Sequence, residues 1–308
     1  MAFQHQLIAL LVAFIWGTNF VLIKIGLEYF PPFLFVTLRF ALVAFPLILL
    51  LPRPNVPWTY LVSYGVLIGF GQFGLLFWAM QDDISPGLAA LVIQTQVFFT
   101  ILLASYLYNE KLKILQAIAL VVCASGLGLI IFHTAGTDSL DSIDKQTSSF
   151  GVLVVLIAAM SWAIGNVVYK KASKDSGKIN NIAFLAWSSI FAIPPLLLTS
   201  LYLEGPDLIL GSIQTANLSA WSILAWQTIG NTLIGYGLWN VLLSKYDTSK
   251  VTPWALMVPV FGLATSNLLL GEILPWWKLV AAMLILSGLV LNVLATKTQQ
   301  NQRFPRQK

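Results

Sequence analysis

The sequence predicts an all-α integral membrane protein of ten transmembrane helices, arranged as two inverted five-helix repeats. Three observations predict it. Apolar residues make up 58% of the chain and charged residues 9%, against roughly 45–50% and about 25% in soluble domains, so the surface must face lipid. Ten apolar runs recur along the chain, each near the length of about 20 residues that crosses a bilayer as a helix. When those runs are threaded through a membrane, 13 of the 17 Lys and Arg residues fall on one side.

The first five runs are Leu7 to Lys24, Phe33 to Leu51, Tyr60 to Met80, Pro86 to Leu107 and Ile114 to Phe132. The second five are Phe150 to Val168, Ile182 to Leu203, Ala220 to Leu243, Val251 to Leu270 and Trp276 to Ala295. The first run has no basic leader and no small-residue cleavage pattern after it, and it carries Trp16, Asn19 and Lys24, so it reads as a retained span. Helices rather than strands follow because lipid offers no hydrogen bonds to an open backbone, and strand-like alternation is absent.

With the N-terminus in the cytoplasm, ten spans return the C-terminus there. The inner loops and tail then hold Arg53, Lys111, Lys113, Lys170, Lys171, Lys174, Lys178, Lys245, Lys250, Lys297, Arg303, Arg306 and Lys308. The outer loops keep only Lys24, Lys145 and Lys278, and Arg39 lies within the second span. That bias is the positive-inside rule. The polar stretch His133 to Ser149, with Asp138, Asp141 and Asp144, reads as an external linker. The chain thus divides into a first repeat (1–133), a linker (134–149), a second repeat (150–296) and a tail (297–308) whose Gln, Lys and Arg content predicts disorder.

The halves echo each other. Asn19 and Lys24 match Asn166 and Lys171 at one offset, and Trp16 matches Trp162 with a one-residue slip. Glu110, Ser125 and Gly126 match Glu272, Ser287 and Gly288, while Gly74 and Trp78 echo Gly235 and Trp239. Five spans are an odd number, so the copies enter the membrane in opposite directions. Exchanging the conformations of such halves gives two structures of nearly equal energy, the basis of alternating access in secondary transporters.

The stretches Trp16-Gly17-Thr18-Asn19-Phe20, Leu38-Arg39-Phe40, Gly87-Leu88-Ala89 and Val258-Pro259-Val260, with Glu110 and the segment from Trp162 to Lys171, resemble the EamA-type transporters of the drug/metabolite transporter superfamily. The resemblance runs from about Leu7 to Ala295. Within the superfamily, Pro52-Arg53-Pro54, Gln94-Thr95-Gln96, Phe98-Phe99-Thr100, Gly165-Asn166, Lys170-Lys171 and Gly235-Tyr236-Gly237 with Trp239 are most similar to bacterial O-acetylserine and cysteine exporters. The resemblance implies a bacterial plasma (inner) membrane exporter of amino-acid-like metabolites, its central cavity lined by spans 1, 3, 4, 6, 8 and 9.

Polar side chains inside membrane helices are costly and face the bundle interior. Trp16 and Asn19 share one helix face, as do Trp162 and Asn166, and as repeat equivalents they can meet across the pseudo-two-fold axis. Asparagine offers donors and acceptors to a zwitterion, and tryptophan an apolar wall; interhelical bonding by the asparagines is the other reading. Gln94 and Gln96 point to nearly opposite faces, so at most one serves the cavity. Gln72, Tyr236, Trp239 and Asn240 complete the substrate-binding candidates. Pro253 and Pro259 should bend the ninth span. Arg39, at about 2.5–3.5 kcal/mol for an arginine at a helix centre, is expected to snorkel to the boundary or to bond helix-end carbonyls, although it could also attract a substrate carboxylate. Glu110 and Glu272, at span ends on opposite sides, are candidate gate locks or solvated groups.

A lone Cys123 and two distant histidines, His5 and His133, exclude an intramolecular disulfide and a His or Cys metal cluster. No cofactor is expected. The net charge of +5 resides in loops and tail rather than in a nucleic-acid patch. Gly69-Phe70-Gly71-Gln72-Phe73-Gly74 has the string of a dinucleotide motif but lies inside an apolar span without a preceding strand, so Gly65 and Gly69 read as a helix-packing face. The expected partners are a small-molecule substrate and the lipid bilayer, and the sequence leaves room for a homodimer. Export of aromatic amino acids, drugs or other metabolites is the alternative. A membrane-embedded lipid-modifying enzyme is the remote one, since it would need a nucleophile or paired carboxylates at one depth.

Overall fold

The computed structural model describes residues 1–108, 113–135, 147–177, 179–246 and 248–303. Among them every regular element is helical. Nine helices are long and apolar enough to cross a membrane: Phe3–Gly26, Pro32–Leu50, Trp58–Asp82, Pro86–Leu107, Ile114–Ala135, Ser149–Ser176, Asn181–Glu204, Pro253–Leu270 and Trp276–Ala295. Leu218–Leu243 supplies a tenth, reached from the short helix Pro206–Thr215 through a 102° bend. In chain order these are spans 1 to 10, with Leu218–Leu243 as span 8. The end of the bundle formed by Ala135 of span 5 and Ser149 of span 6 is the linker end, and the opposite end carries Phe3 of span 1 and the last turns of span 10.

The sequence punctuates these elements legibly. Spans 2 and 4 begin on Pro32 and Pro86 at the first helical position, where a missing N–H costs nothing. Asn180 and Asn217 cap the starts of spans 7 and 8 with their side-chain oxygens. Span 9 ends on Gly271 at φ +67, a left-handed residue that turns the next one back toward the bundle. Two features differ from expectation. The helix Pro206–Thr215 is too short for the span pattern and lies where no element is predicted. The last helix runs on to Arg303, into the predicted disordered tail; residues 304–308 lie outside the described ones, as do Glu110, Asp138, Asp141 and Asp144.

The duplication is written into helix irregularities. Span 3 is α-helical over Trp58–Gly65, π-helical over Val66–Gly74 and α-helical again from Leu75. Span 8 repeats this as Leu218–Ala225, Trp226–Ile234 and α-helix from Gly235, each boundary 160 residues later. π-helical segments are rare and favour functional sites, so their recurrence at one place in each half fixes the register. That register is one residue off the expected match of Gly74 and Trp78 with Gly235 and Trp239. Spans 4 and 9 likewise share a 3-10 turn, Ile93–Thr95 and Thr252–Leu256, before their long α segments.

Packing obeys the same exchange. Spans 5 and 10, 2 and 7, and 4 and 9 pair with each other. Span 1 packs on 9 and 8 as span 6 packs on 4 and 3, and span 2 meets 8 as span 7 meets 3. Swapping the halves exchanges these pairs, which is consistent with a two-fold relation between oppositely directed five-span units, although spans 1 and 4 and spans 2 and 3 pack together without a comparable counterpart between 6 and 9 or 7 and 8. Small residues bring the helices together. A Cβ on Gly65 would lie 2.0 Å from the Ser188 carbonyl oxygen, and one on Gly69 would lie 2.1 Å from the Ala192 Cβ, so this face is the seam of spans 3 and 7.

Candidate functional site

The linker end of the bundle is sealed. Phe30, Phe33, Phe35 and Phe77 are buried there, with Phe30 on Trp221 at 5.6 Å and Phe33 on Trp78 at 6.2 Å between ring centres. Two carboxylates of the second half cap helices of the first. Glu204 accepts from the amides of Phe33 at 2.6 Å and Leu34 at 3.1 Å, at the positive start of span 2. Glu272, 4% exposed, accepts from the Gly87 amide at 2.9 Å, from the hydroxyls of Ser85 and Ser266, and from Lys278 Nζ at 3.1 Å. Lys278 is itself fully enclosed and also donates to the Ile273 carbonyl at 3.2 Å. The Gly271 turn aims Glu272 at span 4.

Midway down the bundle the aromatic and amide candidates come together unevenly. Trp16 makes tilted ring contacts with Tyr236 and with Trp239, both at 5.2 Å between centres, and its Nε1 donates to the Asn231 carbonyl at 3.3 Å. Asn19 and Gln72 are buried, and Asn19 Oδ1 has no partner. Asn166 donates through Nδ2 to Gln96 Oε1 at 3.0 Å, joining spans 6 and 4. Gln96, rather than Gln94, therefore carries the interhelical bond, while Gln94 sits half-buried in the 3-10 turn and Trp162 half-buried on span 6. No hydrogen bond joins Asn19 to Asn166: Asn166 ties span 6 to span 4, and Asn19 Oδ1 has no partner. Of Asn240 only the backbone is described.

Arg39 departs from the snorkelling expected of it. It lies seven residues inside span 2, about 10 Å down at 1.5 Å per residue, and is 2% exposed. Its guanidinium carbon rests 4.1 Å over the Phe73 ring of span 3, and Nη2 donates to Thr232 Oγ1 of span 8 at 3.1 Å. Nη1 is buried and has no partner. The surrounding helices are too closely packed for the side chain to reach the boundary, and its hydrogen bond goes to a hydroxyl rather than to a helix-end carbonyl. Tyr236 interacts with it electrostatically.

The proline candidates fall at the irregular part of span 9. Pro253 opens its 3-10 turn, and Pro259 is buried in the α segment that follows, where a shift from 3-10 to α geometry accommodates the missing donors.

Several contributors escaped sequence reasoning. Gln227 of span 8 is fully buried, and both its side-chain nitrogen and oxygen are unpartnered. Its backbone carbonyl accepts from the Thr232 hydroxyl at 2.9 Å, across a π turn. The signal was the polar run Gln227, Thr228, Asn231 and Thr232 in an otherwise apolar span. Glu204 and Ser85 each fall one position outside a predicted span, Ile182 to Leu203 and Pro86 to Leu107.

The description EamA-like transporter family matches this chain twice, over residues 5–132 and 149–294. A protein of Salmonella typhimurium named "Probable amino-acid metabolite efflux pump" is 40% identical over 98% of this chain and 99% of its own length. One of the same name from Escherichia coli is 38% identical over 95% and 96%. An uncharacterized transporter of Bacillus subtilis is 31% identical over 91% and 94%. A solved crystal structure, 18% identical, superimposes with a TM-score of 0.62 over 95% of this chain and 96% of its own, which speaks to the fold alone. With two family matches covering nearly the whole chain, one per five-span half, the protein belongs to the EamA-like transporter family of the drug/metabolite transporter superfamily.

Proposed function

We propose that the protein is a secondary exporter of small amino-acid-like metabolites, such as cysteine or O-acetylserine, working by alternating access in a bacterial inner membrane with both termini cytoplasmic. The observation that carries this reading is the 40% identity, over nearly full length, to a protein named as an amino-acid metabolite efflux pump. The geometry supports it. Amides, hydroxyls and aromatic faces converge midway along the bundle, as a zwitterion of mixed polarity needs, and the linker end above them is closed by caps that join the two halves. Opening that end requires Glu272 and Glu204 to leave span 4 and span 2, a concerted step suited to rocking one half against the other.

Proteoliposomes loaded with radiolabelled cysteine, O-acetylserine and a panel of other amino acids, with and without a pH gradient, test the reading. Counterflow of at least one amino acid at several times the protein-free rate is expected, and a response to the gradient would identify proton coupling. Protein-free rates for the whole panel would overturn it. The tilted ring contacts of Trp16 with Tyr236 and Trp239 favour a second reading, aromatic amino acids as cargo, which the same panel distinguishes by competition.

A further inference from the structure

We infer that Arg39 is the carboxylate anchor of the transported molecule, so that the substrate class is defined by a free carboxylate rather than by an amino group or side chain. This rests on the transporter reading and adds to it which part of the cargo is recognised. The argument begins with charge. Arg39 is a full positive charge at mid-depth, 2% exposed, and no carboxylate pairs with it among the described residues. A hydroxyl on Nη2 and the Phe73 face orient the guanidinium without neutralising it. Buried charges are retained when something pairs with them, and inside membranes they mark substrate paths.

The unused hydrogen-bonding capacity points the same way. Nη1 of Arg39 is a buried donor with no acceptor. Gln227, whose carbonyl receives the same Thr232 hydroxyl that Arg39 binds, is fully buried with an idle amide nitrogen and oxygen. Native interiors leave few such groups, and each one calls for a reason. A carboxylate provides two acceptor oxygens and one negative charge: Nη1 can take one oxygen in a charge-assisted bond, and Gln227 adds a donor from the same seam. Trp16, in tilted contact with Tyr236 and Trp239, then offers a ring face to an ammonium group or apolar side chain.

The experiment compares free amino acids with their methyl esters and carboxamides on the purified full-length protein, reading both thermal stabilisation on binding and proteoliposome competition. For the wild type, the esters are expected to bind roughly a hundredfold more weakly than the acids, as for a site built around a group the analogue lacks. Arg39→Gln should bring acids down to the ester level, Arg39→Lys should restore part of the preference because it keeps charge but not the planar fork, and Thr232→Val should weaken acids about fivefold by freeing the guanidinium. Should Arg39→Gln fail to fold, the wild-type comparison still decides. Equal binding of acids and esters, binding of neither, or an Arg39→Gln protein that keeps the preference overturns the inference. Selective carboxylate binding without flux of any panel member would leave the anchor standing and remove the transport reading instead.

Discussion

Among the described residues two cations lie buried in this bundle, and their surroundings could hardly differ more. Lys278, at the linker end, sits 3.1 Å from the Glu272 carboxylate and also bonds the Ile273 carbonyl, while Glu272 is held in turn by Ser85, Gly87 and Ser266. Arg39, at mid-depth, has a hydroxyl, a ring face and an idle nitrogen. A charge with a structural task carries its compensation with it, because the desolvation cost has to be offset on the spot. On the proposal made above, the incomplete charge takes its partner from the cargo, and the contrast would then separate the lock from the site.

The same contrast runs between the pseudo-equivalent seams. Spans 2 and 8 meet as spans 7 and 3 do. Counting from the start of each 19-residue helix, Arg39 falls opposite Ser188, and the 160-residue register sets Gln227 opposite Leu67. On the seam of spans 7 and 3, Ser188 bonds its own backbone and Gly65 presses onto it. The seam of spans 7 and 3 is closely packed on small residues, whereas the seam of spans 2 and 8 holds polar groups, with Arg39 bonded to Thr232 while Arg39 Nη1 and the Gln227 side chain stay unpartnered.

The largest expected effect tests the lock. Glu272→Ala strands Lys278 without its counterion and should cost about 3–5 kcal/mol of stability, while the double change Glu272→Leu with Lys278→Met should recover most of it. Thermal unfolding of the purified proteins reads both. A harmless single substitution would erase the distinction between the two cations. Next comes the packed seam. Gly65→Leu meets the Ser188 backbone and should cost about 3 kcal/mol by overpacking, the upper end of the usual range. Its register mate Ala225 is exposed, so Ala225→Leu should be nearly silent. Equal losses at both positions would mean that the seams are alike after all.

The helices were legible because lipid imposes one rule on every residue it touches: the apolar runs, the Pro starts and the basic loops all state it locally. The repeat read from matched residues is consistent with π segments that recur 160 residues apart, although the expected match of Gly74 and Trp78 with Gly235 and Trp239 is one residue off that spacing, because π-helical geometry leaves no mark on composition. Arg39 shows the limit. Its position within a span was plain, yet whether it reaches the boundary or the interior depends on Phe73 and Thr232, which belong to other spans. Gln227 was overlooked for the same reason: a glutamine in a helix declares polarity, and only the packing around it reveals that nothing answers. Glu204 carried no signal in the sequence because the amides it caps lie some 170 residues earlier in the chain.

Gln227→Leu converts the polar seam toward its mate by installing the residue found at Leu67. Removing two unpartnered buried polar atoms should raise stability by about 1–3 kcal/mol, a shift of a few degrees in the unfolding midpoint. Counterflow should fall at least about tenfold, since a donor aimed at the substrate goes with it. Gain of stability with loss of flux is the signature of a residue kept for function. A loss of both would show that Gln227 has a partner within the fold.

The smallest effect divides the two asparagines. Asn166 is bonded to Gln96, whose counterpart 161 residues on is Met257, a side chain with no amide to offer Asn19. Truncating Asn166 to Ala therefore breaks a made bond and leaves Gln96 unanswered, which should lower stability by about 1 kcal/mol. Truncating Asn19 to Ala breaks none through Oδ1 and should leave the unfolding midpoint within a degree or so, while reducing counterflow if that oxygen meets cargo. Measured side by side, midpoint and flux should move in opposite order for the two variants. Matching behaviour would make the asparagines the common interhelical ties that their sequence symmetry suggests, and would confine the asymmetry of the bundle to the seam of spans 2 and 8.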